Sequence, residues 1–164
     1  MNDARNAPFV ASNERPGTGL DYLQRILSGE YAWLPIGEHL GFRIVAAEPG
    51  KVTLKGRPDE RSYNLLKSVH GGWTAAVLDT AMALSNLTLL GADQTFTTID
   101  LRINYLRPIT VETGEVTAAG GVLQSGRKIA YVEAKLTDAN GKLLAHGTGS
   151  LLIMARQSSN GSPT

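Results

Sequence analysis

"NLLKSVHGGWTAAVLDTAMALSNLTLL", residues 64–90, decides how the rest of the chain is read. From Trp73 to Leu90 the residues are almost all apolar or small. No wide polar stripe is left to face water, so the run predicts a helix buried on most sides. Gly71-Gly72 closes the loop before it, and Gly91 supplies a stop. A single acid, Asp79, interrupts the run nine residues after His70, among apolar Val77, Leu78, Ala81 and Met82. An unpaired carboxylate in such surroundings is costly or takes up a proton. An acid kept there needs a partner, a water cavity or a task.

Beyond the helix the period changes from helical to alternating. In "TFTTIDLRINYLRP", Ile99, Leu101, Ile103 and Tyr105 alternate with Thr98, Asp100, Arg102 and Asn104, which predicts a half-buried strand. "GEVTAAGGVLQ", "KIAYVEAKLTD" and "KLLAHGTGSLLIM" follow as three further strands, with Ser125-Gly126 and Asn140-Gly141 as turns. Before the helix, "HLGFRIVAAEPGKVTLKGRP" predicts a hairpin turning at Pro49-Gly50. Six antiparallel strands and one long apolar helix make an α+β arrangement. One helix cannot cover both faces of such a sheet, so the sheet is expected to curl round it and a second copy to bury what remains. Upstream, residues 1–19 are polar with Pro and Gly and are expected to be a mobile arm. Leu20, Leu23, Ile26 and Leu27 fall at helical spacing, predicting a short amphipathic helix packed outside the main core and ended by Gly29. The expected division is 1–37 for this arm and helix, 38–154 for the folded domain and 155–164 for a disordered tail.

The whole chain has 164 residues, 42% hydrophobic and 19% charged, with a formal charge of +1. That suits one globular domain, and no basic stripe points to nucleic acid. The N-terminus has no apolar core of a secretory signal, and no apolar run has convincing membrane length. There are no cysteines, which excludes thiolate chemistry and fits a reducing cytoplasm. The three histidines, His39, His70 and His146, are irregularly spaced and suggest no metal site. "GVLQSGRK", residues 121–128, has the glycine frame of a phosphate loop, but it joins two strands and lacks the lysine-hydroxyl pair. Its Arg127 and Lys128 could still meet a phosphate, or be solvated hairpin charges.

Three features could carry chemistry. The His70-Gly71-Gly72 turn at a helix start offers unpaired N–H groups to an oxyanion or a polarised carbonyl. It could equally be a tight turn with a loop histidine. Asp79 could be a base or nucleophile, or part of an ion pair. Asn64, six residues before His70, could bind a carbonyl or a water, or cap its own turn.

Together "N-x5-H-G-G-x6-D" on a loop entering a buried helix resembles the hotdog-fold acyl-CoA thioesterases of the phenylacetyl-CoA type. The resemblance extends over residues 38–154 and includes "TTIDLRINYLRP" and "GRKIAYVEAKLTDANGKLLAHGTG". It implies a six-stranded antiparallel sheet wrapped around the central helix, assembled into dimers and often tetramers, with no catalytic metal or organic cofactor. It implies an acyl-CoA substrate, hydrolysed to free acid and CoA. Asp79 matches the catalytic acid, as nucleophile or as base for water. Gly71 matches the residue whose backbone N–H polarises the thioester carbonyl, and His70 and Asn64 match residues that shape that site. Thr98 falls where some relatives assist the water, with Thr97 adjacent. Gly126, Arg127 and Lys128 are expected to meet the CoA phosphates. The resemblance also implies a site shared between subunits, with Asn64, His70 and Gly71 from one and Asp79 and Thr98 from its mate. The first forty residues, Trp33 included, have no counterpart in the pattern and are expected to cover part of the acyl pocket. A non-catalytic acyl-CoA-binding module would not need Asp79. A hotdog dehydratase or hydratase would carry a His-Phe-Pro loop and a more distant Glu, which are not seen.

Overall fold

The computed structural model describes residues 7–156. Helices α1 (Gly19–Leu27) and α2 (Pro35–Leu40) precede strands β1 (Phe42–Glu48) and β2 (Lys51–Gly56). The long helix α3 (Gly71–Leu87) follows, then β3 (Gln94–Tyr105), β4 (Val116–Ser125), β5 (Ile129–Asp138) and β6 (Leu143–Ala155). The strands form one antiparallel six-stranded sheet in the order β1-β2-β4-β5-β6-β3. No described helix is long and apolar enough to cross a membrane.

α3 touches every strand, so the sheet curls around it. Trp73, Val77, Leu78, Ala81, Met82, Leu84 and Leu87 are all buried, on positions that cover most of the helix circumference. Side chains of this kind contribute about 1.5–3 kcal/mol each when fully buried. β4 comes close enough for backbone contact. A Cβ built on Gly120 would lie 2.2 Å from the Ala81 carbonyl oxygen and 2.6 Å from Ser85 Oγ. At its far end α3 is tied to the β1–β2 turn, where Gly50 N–H donates to Thr88 Oγ1 at 2.7 Å. Gly50 itself sits at φ +75°, as the Pro-Gly turn requires.

Several expectations need correction. α3 starts at Gly71 rather than Trp73 and ends at Leu87, capped by Thr88 rather than stopped at Gly91. His70 is the N-cap, and its Nδ1 accepts from Gly72 N–H at 2.8 Å. That bond draws both glycines into the helix. α1 is not outside the core. Tyr22, Leu23 and Ile26 are buried in the same cluster as α3. Its start is set by a capping box between Thr18 and Asp21. The described part of the arm is fastened rather than free. Ala32 N–H donates to Pro8 O, Tyr22 Oη to Val10 O, and Arg15, only 1% exposed, reaches three carbonyls. Of the expected tail, Ala155 completes β6 and Arg156 N–H bonds Asp93 O, while residues 157–164, like 1–6, lie outside the described residues.

β3 departs from simple alternation. A bulge between Thr98 and Asp100 breaks its register with β6 and turns Ile99 outward. Ile99, Leu101 and Tyr105 are exposed, and only Ile103 of the expected face packs on the core. β3 also ends the sheet, so its outer backbone edge is unpaired among the described residues.

The Gly120 contact predicts a sharp contrast. Gly120→Ala should destabilise the protein by about 2–3 kcal/mol, because its neighbour is helix backbone that cannot step aside. Gly121→Ala, with nothing within 4 Å of the new Cβ, should change stability by less than about 0.5 kcal/mol. Denaturant unfolding of the two variants checks this, and equal losses would contradict the packing described.

Candidate active site

The loop before α3 builds the first half of the candidate site. Tyr63 and Val69 form an isolated bridge that closes the loop at its base. Within it, Asn64 Oδ1 accepts from Leu66 N–H at 2.8 Å and its Nδ2 donates to Ser68 Oγ at 3.0 Å. The Asn64 amide is thus engaged in holding its own loop, in the manner of an Asx turn. Lys67 takes φ +56°, the only non-glycine residue at positive φ among those described. Leu65 and Leu66 stand exposed at the tip.

The loop delivers His70 to the helix start. Because Nδ1 accepts from Gly72, a neutral His70 carries its proton on Nε2. Gly72 N–H is therefore occupied, while Gly71 N–H finds no acceptor among the described residues. The Gly71 carbonyl is held from the other side by the Tyr105 hydroxyl at 3.1 Å. A Cβ on Gly71 would lie 3.2 Å from that ring. Asn64, Ser68, Gly71, Thr74, Tyr105 and Arg107 line a cavity of about 310 Å³. An unclaimed N–H at a helix N-terminus facing open space can receive a carbonyl oxygen as it gains charge. The sequence pattern did not single out Tyr105 or Arg107. Tyr105 reads there as one more apolar strand position, and only its hydroxyl hints otherwise.

The second half lies two turns further along α3. Asp79 is half-buried, and Thr98 Oγ1 donates to its Oδ1 at 3.1 Å. Thr97 points to the exposed side of β3, so Thr98 is the threonine at the acid. Burial pushes the Asp79 carboxyl above the usual aspartate range, and the Thr98 hydrogen bond partly opposes this. The Asp79 cavity, also about 310 Å³, has a mainly apolar lining that includes Tyr22, Leu34, Ala83, Leu84 and Phe96.

The two halves do not meet within one chain. Their cavities share no lining residue. Eight residues of helix separate Gly71 from Asp79, a rise of about 12 Å. Gly126, Arg127 and Lys128 form the exposed β4–β5 turn, closed by Gly126 N–H donating to Ile129 O at 2.8 Å. Lys128 O accepts from Ile153 N–H, and Ile153 pairs with Phe96, whose side chain lines the Asp79 cavity. Two inter-strand steps of this kind span about 10 Å. The turn therefore lies on the Asp79 side of the sheet, away from Asn64 and Gly71. Trp33, expected near the acyl pocket, instead donates from its indole to Phe42 O at 2.6 Å and packs edge-on against that ring. Among the described residues no group of three or more His, Asp or Glu gathers in metal-binding geometry.

Comparison with known proteins gives consistent matches. A family model described as the thioesterase superfamily matches residues 66–145. Acyl-coenzyme A thioesterase 13 of Homo sapiens is 34% identical over 107 residues, 63% of this chain and 74% of that protein. A putative esterase of Saccharolobus solfataricus is 32% identical over 120 residues, covering 73% of this chain and 83% of its own. Among solved structures, a putative thioesterase described as phenylacetic acid degradation-related, from Ralstonia eutropha, superposes with a TM-score of 0.73 at 26% identity. It covers 80% of this chain and 98% of that one.

The raised carboxyl has a consequence for stability. The folded protein holds the Asp79 proton to a higher pH than the unfolded chain, whose aspartate titrates near about 3.9. Between that value and the raised one the folded state binds more protons, so this group's contribution to stability falls as pH rises. Asp79→Asn removes the cost. The variant should be more stable than the parent at neutral pH, and the gain should fade as pH falls through the window. Thermal unfolding of both proteins from acid to neutral pH checks this. A variant no more stable at neutral pH would contradict the desolvation.

Proposed function

The chain belongs to the thioesterase superfamily and is a thioester hydrolase of acyl-CoA; on that premise we propose that Asp79 carries the reaction, at a site completed by a second copy of the chain. The observation that carries this reading is the isolation of Asp79. It is one half-buried carboxylate with a single hydroxyl donor, its proton affinity raised, at an apolar cavity. Nothing in packing requires an acid there. A carboxylate made more basic yet still ionised at working pH suits attack or proton abstraction.

In the proposed reaction the thioester carbonyl oxygen lies at the Gly71 N–H of one subunit. The helix N-terminus stabilises the charge that develops on that oxygen. Asp79 of the other subunit faces the carbonyl carbon. Either its oxygen attacks directly, or it takes a proton from a water that does. Collapse of the tetrahedral intermediate breaks the C–S bond and releases CoA as its thiolate, which takes up a proton from Asp79 or solvent; on the direct route it leaves an acyl–Asp79 anhydride that a water then hydrolyses to the free acid and the Asp79 carboxylate. Thr98 keeps the carboxylate oriented, and His70 and Asn64 hold the loop that presents Gly71. The unpaired β3 edge with exposed Ile99, Leu101 and Tyr105 is the surface on which a two-fold mate would sit, and a further pairing into tetramers would bury outer sheet residues such as Leu123 and Tyr131. The acyl group occupies the Asp79 cavity, which suits an aryl or medium-chain group. The CoA phosphates meet Arg127 and Lys128, with Gly126 allowing close approach. The reaction as proposed calls on no cofactor or metal. We place it in the cytoplasm, in keeping with a chain that has no cysteine.

Asp79→Asn should lower the turnover of acyl-CoA by about 100-fold or more without unfolding the protein. Asn64→Ala, which releases the Gly71 loop, should also be inactive alone. Unfolding the two variants together and refolding them gives mixed dimers in which one site carries both lesions and the other none. About half the dimers should be mixed, so about a quarter of all sites should work. Verified mixed dimers without activity would defeat the shared site, and an Asp79→Asn protein at parental rate would defeat the acid's role.

Charge reversal at Arg127 or Lys128 should raise KM for acyl-CoA at least about tenfold, with much less effect on a small thioester that lacks the nucleotide. Steady-state kinetics on both substrates decides it, and equal effects would remove the phosphate role.

A further inference from the structure

We infer that the segment Phe9–Asn13 is a wall that limits the acyl group in the Asp79 cavity, and that Arg15 is the positioning residue that holds this wall in place. The inference rests on the reading of that cavity as the acyl pocket.

The arm supplies Phe9, Ala11, Ser12 and Asn13 to the cavity lining, opposite Asp79 and Ala83 of α3. None of these arm residues falls in the stretch matched by the family model, residues 66–145. The wall's attachment is unusually costly. Arg15 is 1% exposed, yet no carboxylate among the described residues meets it. Its guanidinium donates to Ser12 O at 2.5 Å, Gly91 O at 2.7 Å and Gln94 O at 2.9 Å, and its Nε finds no partner among the described residues. Burial, with Arg156 nearby, lowers its proton affinity. A cation so buried, offset only by neutral carbonyls, is a poor way to gain stability. What it achieves is geometric. It ties the arm to the α3–β3 connection, some eighty residues away in sequence. Arg156 adds a second tie, donating to Arg15 O at 2.9 Å and to Ala92 O at 2.5 Å. Upstream, Tyr22 Oη holds Val10 O at 2.7 Å. The wall segment is therefore held at both ends.

A fixed wall selects by overlap. The cavity, open on one side, has a volume of about 310 Å³, near the lower end of the roughly 300–1,000 Å³ usual for ligand pockets. It suits a compact acyl group, and a long chain would have to displace the arm.

The test is the ratio of kcat/KM for hexadecanoyl-CoA to that for butanoyl-CoA. This ratio does not depend on how much of a preparation is folded, so a purely structural role leaves it unmoved. Ala11→Phe, which fills the cavity, should lower the ratio by about tenfold or more. Arg15→Met, which frees the wall, should raise it by about tenfold. Should Arg15→Met fail to fold, Tyr22→Phe, which keeps the ring that lines the cavity and loses the hydroxyl bonded to Val10 O, should raise the ratio in the same direction. A ratio unchanged in Ala11→Phe overturns the wall. A ratio changed there but unchanged in the freed variant overturns the role of its fastening. Asp79→Asn is the separate control. If it hydrolyses both substrates at parental rate, the reading of the cavity fails. If it is inactive on both while the arm variants leave the ratio unmoved, only the wall fails.

Discussion

A helix that is apolar on nearly every side has to be enclosed, and the rest of this structure follows from that requirement. α3 can shed water only if the sheet wraps it, and the sheet can come close enough only where a strand offers no side chain. Gly120 against the Ala81 carbonyl is that place. The curl leaves β1 and β3 as edges, and it leaves β3 with exposed apolar side chains on an unpaired border. Enclosing the helix therefore creates the surface on which a second copy is proposed to sit.

The same enclosure sets the two halves of the proposed site apart along the helix. The N-terminus of α3 carries a Gly71 N–H with no acceptor among the described residues, because His70 caps Gly72 instead. The acid lies two turns on, where the helix dipole no longer helps it and burial works against its charge. An N–H and a carboxylate placed closer would neutralise each other rather than a substrate. Held about 12 Å apart on one rigid element, each keeps its own character. An antiparallel mate could then oppose the two ends without either helix bending.

The long helix is legible in the sequence as an unbroken apolar run closed by glycines, and the six strands from alternation or from the turns between them. Asp79 is legible for the opposite reason, as the one break in an apolar run. What escaped depends on contacts between distant segments. Gly71 and Gly72 read as loop because glycine disfavours helix, and the ring of His70, which caps them, has no periodic signature. α2 spans six residues, too few for a period to show. The outward turn of Ile99 comes from a bulge, which alternation alone does not reveal. Arg15 looks like an ordinary arm charge, since the carbonyls that receive it belong to Gly91 and Gln94. Asn64 was open to two readings, and its amide turns out to hold its loop.

The arm and the framework thus divide two tasks between different kinds of interaction. Apolar burial, which is strong but indifferent to detail, fixes α3 inside the sheet and with it the positions of Gly71 and Asp79. Directed hydrogen bonds from Arg15, Tyr22 and Arg156, which add little net stability but tolerate little displacement, fix the arm beside the acid. Changing the arm then changes the space next to Asp79 without disturbing the helix that carries it. With the site as proposed, acyl preference is altered from the N-terminal segment at small cost to the core, whereas a change of reaction requires rebuilding the helix itself.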